Sequence, residues 1–489
     1  VPEPARDGRH SMQAAMERYD LIAIGGGTAG LVTAAGGAAL GLRVALVERE
    51  ALGGDCLWTG CVPSKALIAS ARLAQRMRHA ADLGLVGASP AHAFGTVIER
   101  VRQARATVAR HDDPARFRAL GVEVVFGPAE LSAPDVVDVD GRRLQAKRIV
   151  ISTGAEPAVP PIPGLDDVPY LTHATAFEQD ALPPSLAVLG GGPIGLEFAH
   201  AYRRLGAEVT VIEMLPQVLP REDPDAAAVV RDALETDGVV LHTGAHVERV
   251  EREADGRVVV NARTADGNVI AVPCDSVFVA TGRRARGDGM GLTANGVELD
   301  GGAVRVDRSL RSSVRTVWAA GDVSGGPQFT HVAEYQAKLV LRNAVFPFAS
   351  KADYAAVPAV TYTDPEVARV GLTEAEARER YGDVAVYRYP FADLDRAIVD
   401  GHTAGFVKAV TRRGGRLVGA TVVGTGAGDL LVPFVLAMRR KIPLPKLSQI
   451  VYPYPTMSEG IKRTADAYYR AKLAGRTGRW LRRVVRWLA

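Results

Sequence analysis

Cysteine is scarce in this chain of 489 residues: there are three, and two of them, Cys56 and Cys61, stand five positions apart. That excludes a secreted scaffold held by disulfides and points to a cytoplasmic protein with one special pair of sulfurs. Long apolar runs are missing too, so no membrane span is expected. Charge of one sign is lacking over most of the length. The net charge is +4, but the last twenty residues hold seven Lys/Arg and no acid, which leaves the preceding 469 residues at −3. A nucleic-acid binder would stripe its basic residues over a folded domain, so no nucleic-acid partner is expected. Residues 1–16 have no apolar signal core, and 1–18 read as a disordered lead-in without function.

What remains is an apolar-rich chain, 47% by composition, long enough for roughly three or four domains. A short buried strand after Tyr19 runs into Gly25, Gly27 and Gly30, then small helix residues, then a second strand ending at Glu48. These glycines permit a tight turn, close backbone approach to a pyrophosphate and close helix packing, and the acid can accept from a ribose hydroxyl. The pattern recurs: a strand from Leu186 leads into Gly190, Gly192 and Gly195, and a second strand ends at Glu213. Both acids follow the first glycine of their turn by 23 residues. Two dinucleotide folds are therefore expected in an α/β chain. Three further apolar runs close on turn residues, at Thr153 and Gly154, at Gly282 and Arg283, and at Gly321 and Asp322. Pro-rich residues 158–164 and Gly-rich residues 287–302 mark expected domain crossings.

The segment from Gly53 to Lys65 holds Cys56, Cys61, Pro63 and Lys65. In a regular helix, residues five apart have Cα atoms roughly 8.6 Å apart. A disulfide needs less than about 7 Å, so a bond here requires a distorted helix start. Gly60 supplies the latitude, and a thiol at a helix N-terminus titrates lower. Alone, this spacing fits two buried thiols equally well; after a dinucleotide fold it reads as a redox pair. Cys274 reads as a buried strand-edge thiol.

With these motifs in this order, residues 19–469 resemble the class I pyridine nucleotide-disulfide oxidoreductases, the group of glutathione reductase, dihydrolipoamide dehydrogenase and mercuric reductase. The resemblance implies two Rossmann-like domains and a C-terminal α+β dimerisation domain. Residues 19–160 and 286–356 would form the FAD-binding domain, 161–285 the NAD(P)-binding domain, and 357–475 the interface of a homodimer. It further implies FAD on the first fold with Asp322 at its ribityl chain, and nicotinamide on the second. Cys61 would lie against the flavin, Cys56 would exchange with a small-molecule electron acceptor, and Lys65 and Glu197 would form an ion pair near the flavin. Glu213 predicts NAD(H) over NADP(H), with Arg203, Arg204 and Arg221 as the cations that could reverse it.

The family's histidine near the C-terminus is replaced by Tyr454, with Glu459 retained. A phenol titrates near pH 10 and an imidazole near 6.5, so Tyr454 is a poor proton shuttle. An aromatic residue here, and the Arg221 segment, are similar to mercuric reductases, yet no cysteine follows Cys274. The expected acceptor is a disulfide or a metal ion. Two alternatives are an electron-transfer flavoprotein that reduces quinone at a membrane surface, and a non-catalytic assembly subunit. Residues 476–489 read as a basic amphipathic tail that lies on its own protein or on the inner face of a membrane.

Overall fold

The computed structural model describes residues 16–89, 93–254 and 256–488; most of the expected lead-in lies outside them. Its last two residues belong to a strand instead: Glu17–Tyr19 pairs with Arg142–Ala146, placing Glu17 beside Leu144 and Arg18 beside Gln145. The buried Tyr19 ring anchors this strand, and its hydroxyl donates to Glu17 and Glu123.

By packing, the chain falls into two compact units, one made of residues up to 58 with 106–156 and 283–352, the other of 59–105, 157–282 and 353 onward. The first unit is built on a five-stranded parallel sheet in the order Val317–Ala319, Ile149–Ile151, Leu21–Ile24, Val44–Glu48, Val122–Phe126. Ile22 sits between Ala45 and Ile149. Both faces of such a sheet are covered, which is why these strands are continuous apolar runs rather than alternating ones. Helix α1 (Thr28–Ala39) follows the first strand, and the short α2 (Gly54–Trp58) follows the second.

The second unit opens with α3 (Cys61–Arg78) and holds its own parallel sheet, ordered Tyr170–Leu171, Ser276–Val279, Ser185–Leu189, Glu208–Glu213, Val240–Thr243. Helix α4 (Pro193–Arg204) follows the strand Ser185–Leu189, and α5 (Pro224–Thr236) comes after the next. Leu67, Ile68 and Ala71 of α3 share a core with Leu196 and Ala199 of α4. This packing groups residues 59–105 with the second nucleotide fold. An antiparallel five-stranded sheet follows, in the order Pro358–Thr361, Glu366–Gly371, Arg416–Gly424, Phe406–Arg412, Ala385–Pro390. Helix α6 (Glu459–Ala474) covers it, with Ile461, Ala465 and Tyr468 in the core, and α7 (Arg476–Leu488) comes last.

Candidate active site

In the first unit the turn after Leu21–Ile24 is shaped by backbone contacts that exclude a side chain. Gly25 has φ +104°, and a Cβ there would stand 2.4 Å from the Ser152 carbonyl oxygen. A Cβ on Gly30 would stand 1.8 Å from the Gly25 oxygen, so the helix packs directly on the turn. Gly27 caps α1 without a side-chain bond, leaving N–H groups of the first helical turn for a ligand. Glu48 is already oriented: its Oε2 accepts from the Gly26 N–H at 2.6 Å and its Oε1 from the Glu50 N–H at 2.8 Å.

The cysteine segment lies on this turn. The Gly53 N–H donates to the Gly26 oxygen at 2.8 Å, and a Cβ on Gly54 would stand 2.7 Å from the Gly27 Cα. The pair Gly53–Gly54 thus lets α2, with Asp55 and Cys56, approach the nucleotide turn. Arg283, expected at the cofactor, bridges two carboxylates: Asp55 at 2.7 Å and Asp322 at 3.1 Å. Burial pushes the Asp322 carboxyl up from its ordinary range; the Arg283 guanidinium opposes this and the Asp55 charge adds to it. Gly321 donates its N–H to Gln336 Oε1 at 2.6 Å. The Thr153 hydroxyl donates to the Arg286 oxygen at 2.6 Å, and the Arg286 N–H donates to the Gly154 oxygen at 3.0 Å. An FAD dinucleotide fits this set: uncapped amides at a helix start, no side chain where a pyrophosphate would lie, and an acid fixed at the end of the second strand.

The second unit repeats the device. Gly190 has φ +108°, and a Cβ would stand 2.6 Å from the Ala280 oxygen. A Cβ on Gly195 would stand 2.0 Å from the Gly190 oxygen, while one on Gly192, which caps α4, would meet nothing within 4 Å. Glu213 Oε2 accepts from the Gly191 N–H at 2.6 Å and its Oε1 from the Leu215 N–H at 2.8 Å. Of the three cations that could favour a 2′-phosphate, Arg203 donates to the Asp237 and Ala207 oxygens and Arg204 to Asp237 and Asp364. Arg221 is exposed. Gly282 is tied to the Pro-rich link, its oxygen accepting from the Ala158 N–H at 3.0 Å.

The helix distortion required between the two cysteines is present as a break. α2 ends at Trp58 and α3 begins at Cys61, across Gly60 at φ −113° and ψ −110°. Cys56 is half-buried and Cys61 exposed. One turn beyond Cys61, Lys65 Nζ meets Glu197 Oε2 at 2.6 Å. The other carboxylate oxygen accepts from the Tyr362 N–H at 2.8 Å, and Lys65 Nζ lies 4.4 Å from the centroid of the Tyr362 ring. Tyr362 therefore holds both members of the pair, the anion by its backbone and the cation by its ring face. Burial raises its phenol pKa, with further contributions from Glu197, Glu366 and Cys61. Nothing in the sequence singled it out.

On the same helix as Glu197, His200 Nε2 stands 2.7 Å from Asp237 Oδ2, and Arg204 bridges Asp237 at 2.6 Å and Asp364 at 2.8 Å. The Asp364 N–H points at His200 Nδ1 from 3.4 Å. Burial depresses the His200 pKa, and the network assigns a neutral ring that donates from Nε2 and accepts at Nδ1.

Tyr454 is exposed and donates to Asp395 Oδ2 at 3.0 Å. That bond, with the Asp395 charge, raises its pKa further above neutrality. Glu459 is buried at the start of α6, with Arg463 3.7 Å away one turn on. Cys274 is buried, and burial pushes its thiol up to about 11.

Residues 19–337 match the model of the pyridine nucleotide-disulphide oxidoreductases, and residues 357–465 match that family's dimerisation domain. The chain is 36% identical to a dihydrolipoyl dehydrogenase of Rhizobium etli over 93% of its own length and 99% of the relative's. It is 35% identical to a mercuric reductase of Streptomyces lividans, covering 92% and 96% of the two chains. Among solved structures, the Cu(II) complex of the HOCl-induced flavoprotein disulfide reductase RclA from Escherichia coli superposes with a TM-score of 0.83 at 29% identity, covering 92% of this chain and 100% of that one. LpdA from Mycobacterium tuberculosis gives 0.83 at 30% identity, covering 93% and 100%. A likeness of this extent, spanning residues 19–337 and 357–465, means that the chain belongs to the pyridine nucleotide-disulphide oxidoreductase family of flavoprotein enzymes.

Proposed function

We propose that this enzyme takes electrons from NADH and delivers them through the Cys56–Cys61 pair to a soft metal ion, with a disulfide as the second acceptor class. The observation that carries the reading is the placement of Cys61, first residue of α3, one turn before a Lys65–Glu197 pair gripped by Tyr362. FAD, when bound, supplies the two-electron relay between nicotinamide and sulfur. The chain's own residues do the rest. Gly53 and Gly54 seat the thiol segment on the first turn, the Arg283 bridge fixes Asp55 next to Cys56, and Glu197 keeps the Lys65 cation in place. The oxidised pair accepts two electrons and two protons as its S–S bond opens; when the S–S bond re-forms, the two electrons pass to the acceptor and the two protons go to solvent if it is a metal ion, or to the two thiolates released if it is a disulfide.

Tyr454 favours the metal ion. Reducing a disulfide requires a proton for the leaving thiolate, and a phenol hydrogen-bonded to a carboxylate does not supply one near neutral pH. A soft cation binds thiolates directly and needs no proton. The Cu(II) complex of RclA shows that a structural relative binds a transition-metal ion. The match of residues 357–465 to a dimerisation domain supports a homodimer, and Glu213 with Arg203 and Arg204 engaged elsewhere supports NADH.

The test is NADH oxidation by the flavin-loaded protein with Cu(II), Hg(II), oxidised lipoamide and a soluble quinone. Cys56→Ser is expected to lower metal-dependent turnover at least about 100-fold while NADH still bleaches the flavin. Unchanged turnover would move the electrons off the thiols and onto the quinone alternative. In the same assay kcat/KM is expected to favour NADH over NADPH by about tenfold or more, and an opposite preference would show that Glu213 does not set the choice.

A further inference from the structure

The last helix, α7, is unlike the others. Among its described side chains, Trp480, Leu481, Val484, Val485, Trp487 and Leu488 fall within an arc of about 160° at the helical repeat, and Arg479, Arg482, Arg483 and Arg486 fill the opposite side. The apolar arc is not laid on the protein's own core: Trp480 is 62% exposed, Val485 60%, Trp487 83% and Leu488 72%. It packs against α6, and Arg482 donates to the Leu473 oxygen of that helix at 3.0 Å. No acid lies among residues 476–489 to neutralise the arginines.

We infer that α7 lies on an anionic lipid surface, with its tryptophans and aliphatic residues in the headgroup boundary and its arginines against lipid phosphates. Three features choose lipid over a second copy of this chain. The apolar arc is far broader than the narrow seam of a helix pair, so a partner helix would leave much of it wet. Two copies of α7 side by side would set arginine against arginine with no acid of either helix between them. Tryptophan beside arginine on a helix of high polarity is the composition that settles at a bilayer interface. Arg479, Arg482, Arg483 and Arg486 interrupt its apolar residues, and among the described residues no helix is long and apolar enough to cross a membrane. α7 therefore binds from one side, and its grip depends on lipid charge and on salt.

The experiment is flotation of the full-length, flavin-loaded protein with vesicles of phosphatidylcholine alone or mixed with phosphatidylglycerol, at low and high salt. Association is expected with the anionic vesicles, weakening as salt rises. It should be at least tenfold weaker for Arg482→Glu/Arg483→Glu and lost on truncation after Gly475. Because α7 stands outside the core, NADH oxidation in solution should be unchanged in both variants, which separates failure of the helix from failure of the enzyme. Tryptophan emission should shift to the blue on binding, and the shift should shrink in Trp487→Ala. Equal binding to neutral and anionic vesicles, or no binding to either, would overturn the inference. So would a change of oligomeric state on truncation in the absence of vesicles, which would assign the apolar arc to a second copy.

Discussion

The helices that follow the two nucleotide turns hold the same place in the same motif and are built in opposite ways. α1 is made of small and apolar residues with no ionisable group, and it packs closely on the helix Thr330–Val345; a Cβ on Gly36 would stand 2.6 Å from Leu341. α4 carries Glu197, His200 and Arg204, all buried, and each is bound to a charged or polar group of its own unit. The turns themselves are alike, down to the acid that accepts a hydrogen bond from the residue after the first glycine, Gly26 in one and Gly191 in the other. What a dinucleotide demands is therefore confined to the turn and the acid. The body of the helix is left free for a different use, which is close packing in the first fold and support of the groups beside Cys61 in the second.

That division can be broken at the turns. Gly30→Ala and Gly195→Ala place a methyl group against the backbone in equivalent positions, so each is expected to cost about 3 kcal/mol in its own fold. Their functional effects should separate: Gly30→Ala loses bound flavin, seen as loss of the visible flavin absorbance. Gly195→Ala keeps the flavin and raises KM for NADH. If both variants lose flavin alike, the two turns do not serve two ligands.

A smaller effect probes the charged face of α4. Lys65 is about one-third exposed and Glu197 buried, so the pair is partly screened. Lys65→Met is expected to lower unfolding free energy by about 1–3 kcal/mol, since it leaves a buried carboxylate without its cation. Lys65→Met/Glu197→Gln should recover part of that, and a double-mutant cycle measured in urea gives the coupling. Additive losses would mean that Tyr362, not Lys65, is what holds Glu197.

The smallest expected effect is in pH dependence and belongs to His200. Its folded pKa lies below the ordinary value of about 6.5, so the folded protein binds fewer protons there than the unfolded chain. This contribution to stability is present in full above about pH 6.5 and is lost as pH falls, with a slope of at most about 1.4 kcal/mol per pH unit. Asp237 and Asp364, whose pKa values are also lowered, extend the loss at more acidic pH. Urea midpoints between pH 5 and 8 should show the decline, and His200→Gln should flatten it over the upper part of that range. An equal slope in both proteins would remove His200 from the titration.

The turns and their acids were legible in the sequence because they are local: glycines at fixed spacing between apolar runs determine a strand, a turn and a helix start. A distorted helix start between the cysteines was legible only on the condition that they bond, with Gly60 as the place for it. Tyr362 was not legible, because it meets Glu197 from 165 residues away through a backbone N–H that any residue but proline could supply. The bridge from Asp55 through Arg283 to Asp322 was half seen. Two of its members were singled out for the cofactor, but their direct contact depends on the turn at Gly53–Gly54 bringing α2 close. The substitution of Tyr454 was visible at once, whereas its bond to Asp395, which fixes its chemistry, emerged only from the folding of residues 59 positions apart.

The carboxylates of Glu48 and Glu213 are each held by two backbone N–H groups before any sugar arrives. A glutamate on an open surface samples many rotamers, and fixing it at the moment of binding costs about 0.5–1.5 kcal/mol. Here that entropy is given up during folding, and each oxygen keeps a lone pair for a hydroxyl. On the proposed role of Glu213, every nicotinamide nucleotide that docks and leaves meets an acceptor already aimed, so the ordering happens once in the life of the protein instead of once per turnover.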